Sequence, residues 1–301
     1  MSRFSSGPVS VEVPATSANL GPGFDCLGLA LDLHDTLTAE VVDTGLSVEV
    51  EGEGADDLPR DESHLVVRAM RAGFEALGVA PTGLALRATN RIPQSRGLGS
   101  SSAAIVGGLA LARALVEGGA DALDESGLLR LATAIEGHPD NVAPALLGGL
   151  VVSGQTADDV WAQRAALDPS ISVVAYVPAD GVLTTVARGL LPGVVPHADA
   201  AANTGRAALL MTAFAGATDR LLRGTEDFLH QSFREAAMPD SLALVRTLRE
   251  DGVPAIVSGA GPTVLAFTAP GLPGAEDLLR RCPAGWQGRA LLPDVRGAVA
   301  V

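Results

Sequence analysis

The stretch Pro93-Gln94-Ser95-Arg96-Gly97-Leu98-Gly99-Ser100-Ser101-Ser102-Ala103-Ala104 is a glycine-rich turn between a strand pattern and an apolar helix pattern. Gly83 to Ala88 alternates as a half-buried strand does, and Ser102 to Val116 is almost wholly apolar, as a buried helix is. Gly97 and Gly99 permit positive φ and let the backbone come close to a ligand. The helix that follows offers unpaired N–H groups and the positive end of its dipole, a combination that binds phosphate. A serine at the helix start can cap it or give its hydroxyl to phosphate or Mg²⁺. One cap needs one serine, and here three stand in a row. Taken alone, such a turn also suits an ordinary capped loop.

Outward from this turn, the first half of the chain reads as mixed α and β. Val9 to Val13, Leu37 to Val42 and Leu46 to Glu51 alternate as strands, and Gly148 to Ser153 looks like a returning one. His64 to Leu77 has helical spacing, with Leu65, Ala69, Ala72 and Ala76 on one side, and Glu125 to Ile135 is a further helix. After Gly154 the chain turns polar (Gln155-Thr156-Ala157-Asp158-Asp159) and restarts with a β-rich run at Ile171 to Val177. Helical stretches at Ala198 to Phe214, Ala217 to Leu222 and Ser241 to Glu250 precede strands at Ala255 to Val257, Thr263 to Phe267 and Gly288 to Leu292. The order predicts an α+β protein of two units, 1–154 and 155–301.

Composition removes several function classes. The apolar runs are broken by Gly, Pro or charge well short of a membrane span, and Met1 to Gly7 carries no apolar signal run. Cys26 and Cys282 make neither a disulfide framework nor a zinc set. A soluble, cytoplasmic protein is the expectation. A net charge of −14 repels nucleic acid and anionic lipid, so neither is expected as a partner. The chain has no lysine, and all 21 basic residues are arginine. A Walker A loop, a Schiff base and a lysine base are thereby excluded.

Residues 93–104 closely resemble the ATP loop of the GHMP small-molecule kinases, in which proline precedes Gly-Leu-Gly-Ser-Ser-Ala. Two further blocks resemble the same superfamily in the right order: Pro14-Ala15-Thr16-Ser17-Ala18-Asn19-Leu20-Gly21-Pro22-Gly23-Phe24-Asp25 and Val257-Ser258-Gly259-Ala260-Gly261-Pro262-Thr263-Val264. The first of these is similar to the block carried by the homoserine kinase branch, where sugar and mevalonate kinases usually place Gly-Glu-His or a lysine. The resemblance implies a two-domain GHMP kinase fold, with an N-terminal half like ribosomal protein S5 domain 2 and a C-terminal ferredoxin-like α/β sandwich. It implies ATP and Mg²⁺ as cofactors and phosphorylation of L-homoserine to O-phospho-L-homoserine in threonine biosynthesis, and it leaves a homodimer open. The alternatives are a GHMP kinase for an isoprenoid precursor or a sugar, and a non-catalytic ligand sensor of the same fold.

Site residues follow from the same resemblance. Pro93 to Ala103 would hold ATP, with Ser101 and Glu136 on Mg²⁺, a hard cation that takes few oxygen ligands from protein. Glu136 opens the block Glu136-Gly137-His138-Pro139-Asp140-Asn141, whose His138, Asp140 and Asn141 match the family's substrate segment. By themselves they also fit a polar loop bonded to its own backbone. Asp140 is the candidate base if one is used, and Asn141 orients the substrate hydroxyl. Asp25 would take the substrate ammonium, and Arg188 and Arg234 its carboxylate, each guanidinium matching it as a fork. Considered singly, Asp25 also suits a cap, Asn19 an Asx turn, and either arginine a solvated surface. Asn19 and Gly259 complete the expected substrate site. His64 stands where many relatives have asparagine, and either hydrogen-bonds the adenine or is a solvated helix end.

Overall fold

The protein is described by a computed structural model over residues 4–301; Met1 to Arg3, part of the stretch read for a signal run, lie outside the described residues. The chain begins β1 (Val9–Ala18), β2 (Leu27–Val42), β3 (Gly45–Gly52), α1 (Leu65–Ala76), β4 (Gly83–Asn90) and α2 (Ser100–Leu115). It continues through α3 (Gly119–Ala122), α4 (Glu125–Glu136), α5 (Pro139–Leu147), β5 (Leu150–Gln155) and β6 (Val160–Ala165). There follow β7 (Ser172–Val177), α6 (Thr184–Gly189), α7 (His197–Phe214), α8 (Leu221–Gly224), α9 (Pro239–Glu250), β8 (Ala255–Val257), β9 (Val264–Thr268), α10 (Ala275–Leu279), β10 (Gln287–Leu291) and β11 (Val299–Ala300). This is the mixed α+β class expected. Among the described residues no helix is long and apolar enough to cross a membrane.

The strands form two sheets. The first has the order β11-β1-β2-β4-β3, with β5 paired to β2 and β6 to β5. Its register shifts between Pro14 and Ala15. Proline has no N–H for the ladder, so an irregularity is where a strand tolerates it. Past that point Ala15 to Ala18 is buried on both faces, which is why the alternation read from sequence stopped at Val13 while the strand runs on. The division expected after residue 154 falls inside β5, because the β5–β6 hairpin carries the first sheet to Ala165. The first sheet therefore ends at Ala165 and the second begins with β7. Trp161 of that hairpin is half exposed and covers Gly154.

The second sheet is antiparallel throughout, in the order β10-β7-β9-β8. Its strands show period-2 alternation between two apolar clusters. Val173, Ala175, Leu265 and Phe267 join the large core of the first sheet, while Val174, Tyr176, Val264 and Ala266 pack with Leu242, Val245 and Leu248 of α9. Trp286 is half-buried against that smaller cluster. The large core is continuous from Val11 of β1 to Phe267 of β9. α2 lies deep within it, and Gly108 allows its backbone to approach Val66 of α1 so closely that a Cβ would meet the Val66 carbonyl oxygen at 2.6 Å.

Candidate active site

Asp35 of β2 fixes the end of β4: its Oδ1 accepts the N–H groups of Arg91 and Ile92 at 2.6 and 2.9 Å. From there the glycine loop crosses to α2 with Ser95, Gly97 and Gly99 all at positive φ. Leu98 is buried, and its carbonyl accepts the Thr16 N–H at 3.0 Å. Gly97 is held from the other side, its carbonyl accepting Ser258 Oγ at 2.5 Å. At Gly99 (φ 69°) a Cβ would stand 1.9 Å from Thr16 Oγ1, so only glycine fits. The first helical bond of α2 that closes back on the loop is Ala103 N to Gly99 O, which leaves the amides at the very start of the helix directed outward.

Glu136 ends α4, and Gly137 at φ 97° turns the chain immediately after it. The Glu136 carboxylate comes to the start of α2, where Oε1 accepts Ser101 Oγ at 2.7 Å and Ser102 Oγ at 3.1 Å. His138 then precedes α5 and makes a 2.6 Å hydrogen bond from Nδ1 to Asp140 Oδ1. Burial alone would lower the His138 pKa, but the bond to Asp140 and the charges of Asp140 and Glu136 outweigh it and raise it. Asp140 is buried and committed to this imidazole. Asn141 Oδ1 accepts Thr16 Oγ1 at 2.8 Å, which turns its amide nitrogen away from that hydroxyl.

The second cluster is built on a strained loop: Asn19, Leu20 and Asp25 all have positive φ, at 66°, 49° and 53°. Asn19 holds this shape, donating from Nδ2 to the Gly259 carbonyl at 2.9 Å and accepting the Asp25 N–H on Oδ1 at 3.0 Å. Both ends of its side chain are thus bound by backbone, which holds the loop in shape beside the cavity that Asn19 also lines. Arg188, on the short helix α6, grips Asp25 with both nitrogens. That bond raises the already high pKa of Arg188. Arg234 is 2% exposed, and neither of its hydrogen bonds is to a carboxylate: Nη1 donates to Gly259 O and to His230 Nδ1. Phe24 lies between the two guanidiniums, at 5.5 Å from Arg188 and 5.8 Å from Arg234.

Both clusters open on one cavity of about 300 Å³. Ser101, Glu136, Asn141, Asp25, Arg188 and Arg234 all reach it, as do Asn19, His138, Asp140, Gly259 and the loop residues Gln94, Ser95 and Gly97 to Ser100. Pro93, Arg96, Ser102 and Ala103 do not. Arg96 turns back to the carbonyls of Gln94 and Ala179. His64 lines the cavity and is buried, not a solvated helix end, and neither ring nitrogen has a hydrogen-bond partner. Its burial lowers its pKa, which favours the neutral imidazole. Sequence reading passed over Asp35, Leu183 and Thr184, which also line the cavity, and Thr16, Phe24 and His230 behind it. Asp35 alone had a signal: a carboxylate between Leu33 and Leu37 on the inward phase of β2.

Residues 64–149 match the family model described as the GHMP kinases N terminal domain. A homoserine kinase of Streptomyces avermitilis is 53% identical over 98% of this chain and 96% of its own length. One from Streptomyces coelicolor is 52% identical over 96% of each. Among solved structures, homoserine kinase from Cytophaga hutchinsonii superposes with a TM-score of 0.85 over the whole of both chains at 24% identity, a likeness of fold. On relatives this similar across nearly the full chain, together with the glycine loop and its partners, the chain belongs to the homoserine kinase family of the GHMP kinases.

Proposed function

We propose that the chain transfers the γ-phosphoryl group of ATP to the hydroxyl of L-homoserine, forming O-phospho-L-homoserine on the way to threonine, and that it does so in the cytoplasm. The observation that carries this is the meeting, in one cavity, of a phosphate-type helix start and a cluster suited to a zwitterion. Asp25 offers a carboxylate for the ammonium. Arg188 and the buried, carboxylate-free Arg234 offer forks for the carboxylate.

The loop Gly97 to Ser100 and the first amides of α2 hold the phosphates, and a neutral, unpartnered His64 faces the base. The Glu136 carboxylate beside the Ser101 hydroxyl is a two-oxygen donor set that fits Mg²⁺, since that ion takes few protein ligands when phosphates supply the rest. Glu136 and Ser101 would hold Mg²⁺ there, and it would supply positive charge against that developing on the phosphoryl oxygens. Asn141, held through Oδ1 by Thr16, presents its amide to orient the attacking hydroxyl. Asp140 orients His138 through Oδ1, and it is the carboxylate placed to act as base if one is used. Orientation and charge stabilisation carry the step, as suits a loose phosphoryl-transfer transition state.

A coupled ADP-release assay over L-homoserine, mevalonate, galactose and threonine tests this. L-homoserine should give the highest kcat/KM. A higher value for mevalonate or galactose overturns the substrate, and no turnover of any of the four overturns the kinase reading.

A further inference from the structure

His230 stands directly behind Arg234 and is completely buried. Its Nε2 lies 2.8 Å from the carbonyl oxygen of Gly21. A carbonyl can only accept, so Nε2 carries the hydrogen and Nδ1 is left as a lone pair. That lone pair faces Arg234 Nη1 at 3.0 Å, and the same Nη1 donates to the Gly259 carbonyl at 2.9 Å. A proton on Nδ1 would set an N–H against a guanidinium, and burial, the main influence on this group, lowers its pKa and opposes that charge.

The surroundings hold the imidazole in place. Asp227 Oδ2 accepts the backbone N–H groups of His230 and Gln231 at 3.1 and 2.7 Å. The Phe24 ring packs on the imidazole at 5.4 Å. Gly21, at φ 87°, has no room for a side chain, since a Cβ would meet the Thr225 carbonyl oxygen at 2.7 Å. On Arg234, Nη1 is thus used twice by the protein, while Nε is buried without a partner and Nη2 makes no hydrogen bond among the described residues. The free pair Nε and Nη2 is the edge of a guanidinium that receives a carboxylate in two parallel bonds.

We propose that His230 is a positioning residue for substrate recognition: as a single fixed tautomer it anchors Nη1 of Arg234, so that the Nε–Nη2 edge is turned to the substrate carboxylate. This rests on Arg234 being a reader of that carboxylate, and the test separates the two ideas. His230→Leu keeps apolar bulk and removes the acceptor. Kinetics with L-homoserine and with 3-aminopropan-1-ol, the same alcohol without the carboxylate, should show the preference for homoserine falling about tenfold, the scale of one hydrogen bond to a charged group. The rise in homoserine KM should exceed any rise in ATP KM, and His230→Gln, which can donate to Gly21 and accept from Arg234, should restore part of the preference. A uniform fall for both alcohols and for ATP, or an unchanged preference, overturns the proposal. Arg234→Ala is measured alongside: if it too keeps the preference, the assignment of Arg234 is what fails, whereas loss in Arg234→Ala with retention in His230→Leu sinks the role of His230 alone. Nitrogen-15 NMR of the histidines in the unaltered protein needs no variant. A neutral His230 protonated on Nε2 at pH 7 supports the proposal, and an imidazolium or the Nδ1–H form overturns it.

Discussion

Arg188 and Asp25 hold each other as a two-pronged ion pair, Nη1 to Oδ2 at 2.9 Å and Nη2 to Oδ1 at 2.7 Å, although the proposed chemistry gives them to opposite charges of one substrate. A zwitterion can enter by exchange, its ammonium taking the place of the guanidinium on Asp25 and its carboxylate that of Asp25 on Arg188. The pair is also more than a third exposed on each side, so water and salt weaken it and opening it costs little. Arg188→Ala should raise the homoserine KM by roughly ten- to hundredfold, the range for one charge-assisted contact, with little change in the ATP KM. Arg188→Lys should recover only part, because an ammonium cannot form the fork. An equal rise in both KM values would show that Arg188 supports the cavity as a whole.

Glu136→Gln keeps the size of the side chain and can still accept from Ser101 and Ser102, but removes the anion. The kcat should fall by about a hundredfold or more, the scale of a lost electrostatic group in a transition state, with the melting temperature nearly unchanged. Titration with Mg²⁺ should require higher concentrations in the variant. A wild-type kcat at saturating Mg²⁺ would make Glu136 a tie between α4 and α2 and nothing more.

Thr16 Oγ1 donates to Asn141 Oδ1 at 2.8 Å, and the proposed orienting role of Asn141 depends on that bond. Thr16→Val preserves the β-branched shape inside β1 and deletes the hydroxyl, freeing the Asn141 amide to rotate. The kcat should drop about tenfold, a single neutral hydrogen bond's worth of orientation, with both KM values close to wild type. Should KM for ATP rise instead, Thr16 serves the Gly99 turn that it touches.

Asp35 makes the stability of the fold depend on pH. Burial pushes its pKa up from 3.8 to about 6, against the pull of the Arg91 and Ile92 amides. Between those two values the folded protein keeps a proton that the unfolded chain has lost. This group's contribution to stability is therefore full below pH 3.8 and declines as pH rises to about 6. Asp35→Asn retains the oxygen that accepts both amides and abolishes the titration. Relative to the variant, the wild type should lose up to about 3 kcal/mol between pH 3.5 and 7, measured by urea unfolding. Parallel stability curves for the two proteins would show that Asp35 titrates normally.

What could be read from the sequence was mostly local. The turn at Gly97 and Gly99, the serines at the start of α2 and the polar cluster after Glu136 each depend on residues adjacent in the chain. Strand β6 escaped notice because none of Val160 to Ala165 is fully buried, and a polar turn before it imitates a linker. Helix α6 has only six residues, too few for a period to show, yet it carries Arg188. The remaining gaps are distances along the chain: Asn19 to Gly259, Asp25 to Arg188 and Gly21 to His230 meet across more than 160 residues. Nothing in the order of residues says that Asn19 would bind backbone with both ends of its amide.

The apolar core that runs unbroken from β1 to β9 bears on how the molecule comes apart. Exposing one face of the second sheet also strips cover from the large core, so the halves share one cooperative transition and not two. Nature has placed a fluorophore in each: Trp161 on the β5–β6 hairpin and Trp286 beside the smaller cluster at α9. Single-tryptophan proteins made by Trp161→Phe and Trp286→Phe should therefore lose their fluorescence signatures at the same denaturant midpoint, and calorimetric and van't Hoff enthalpies should coincide.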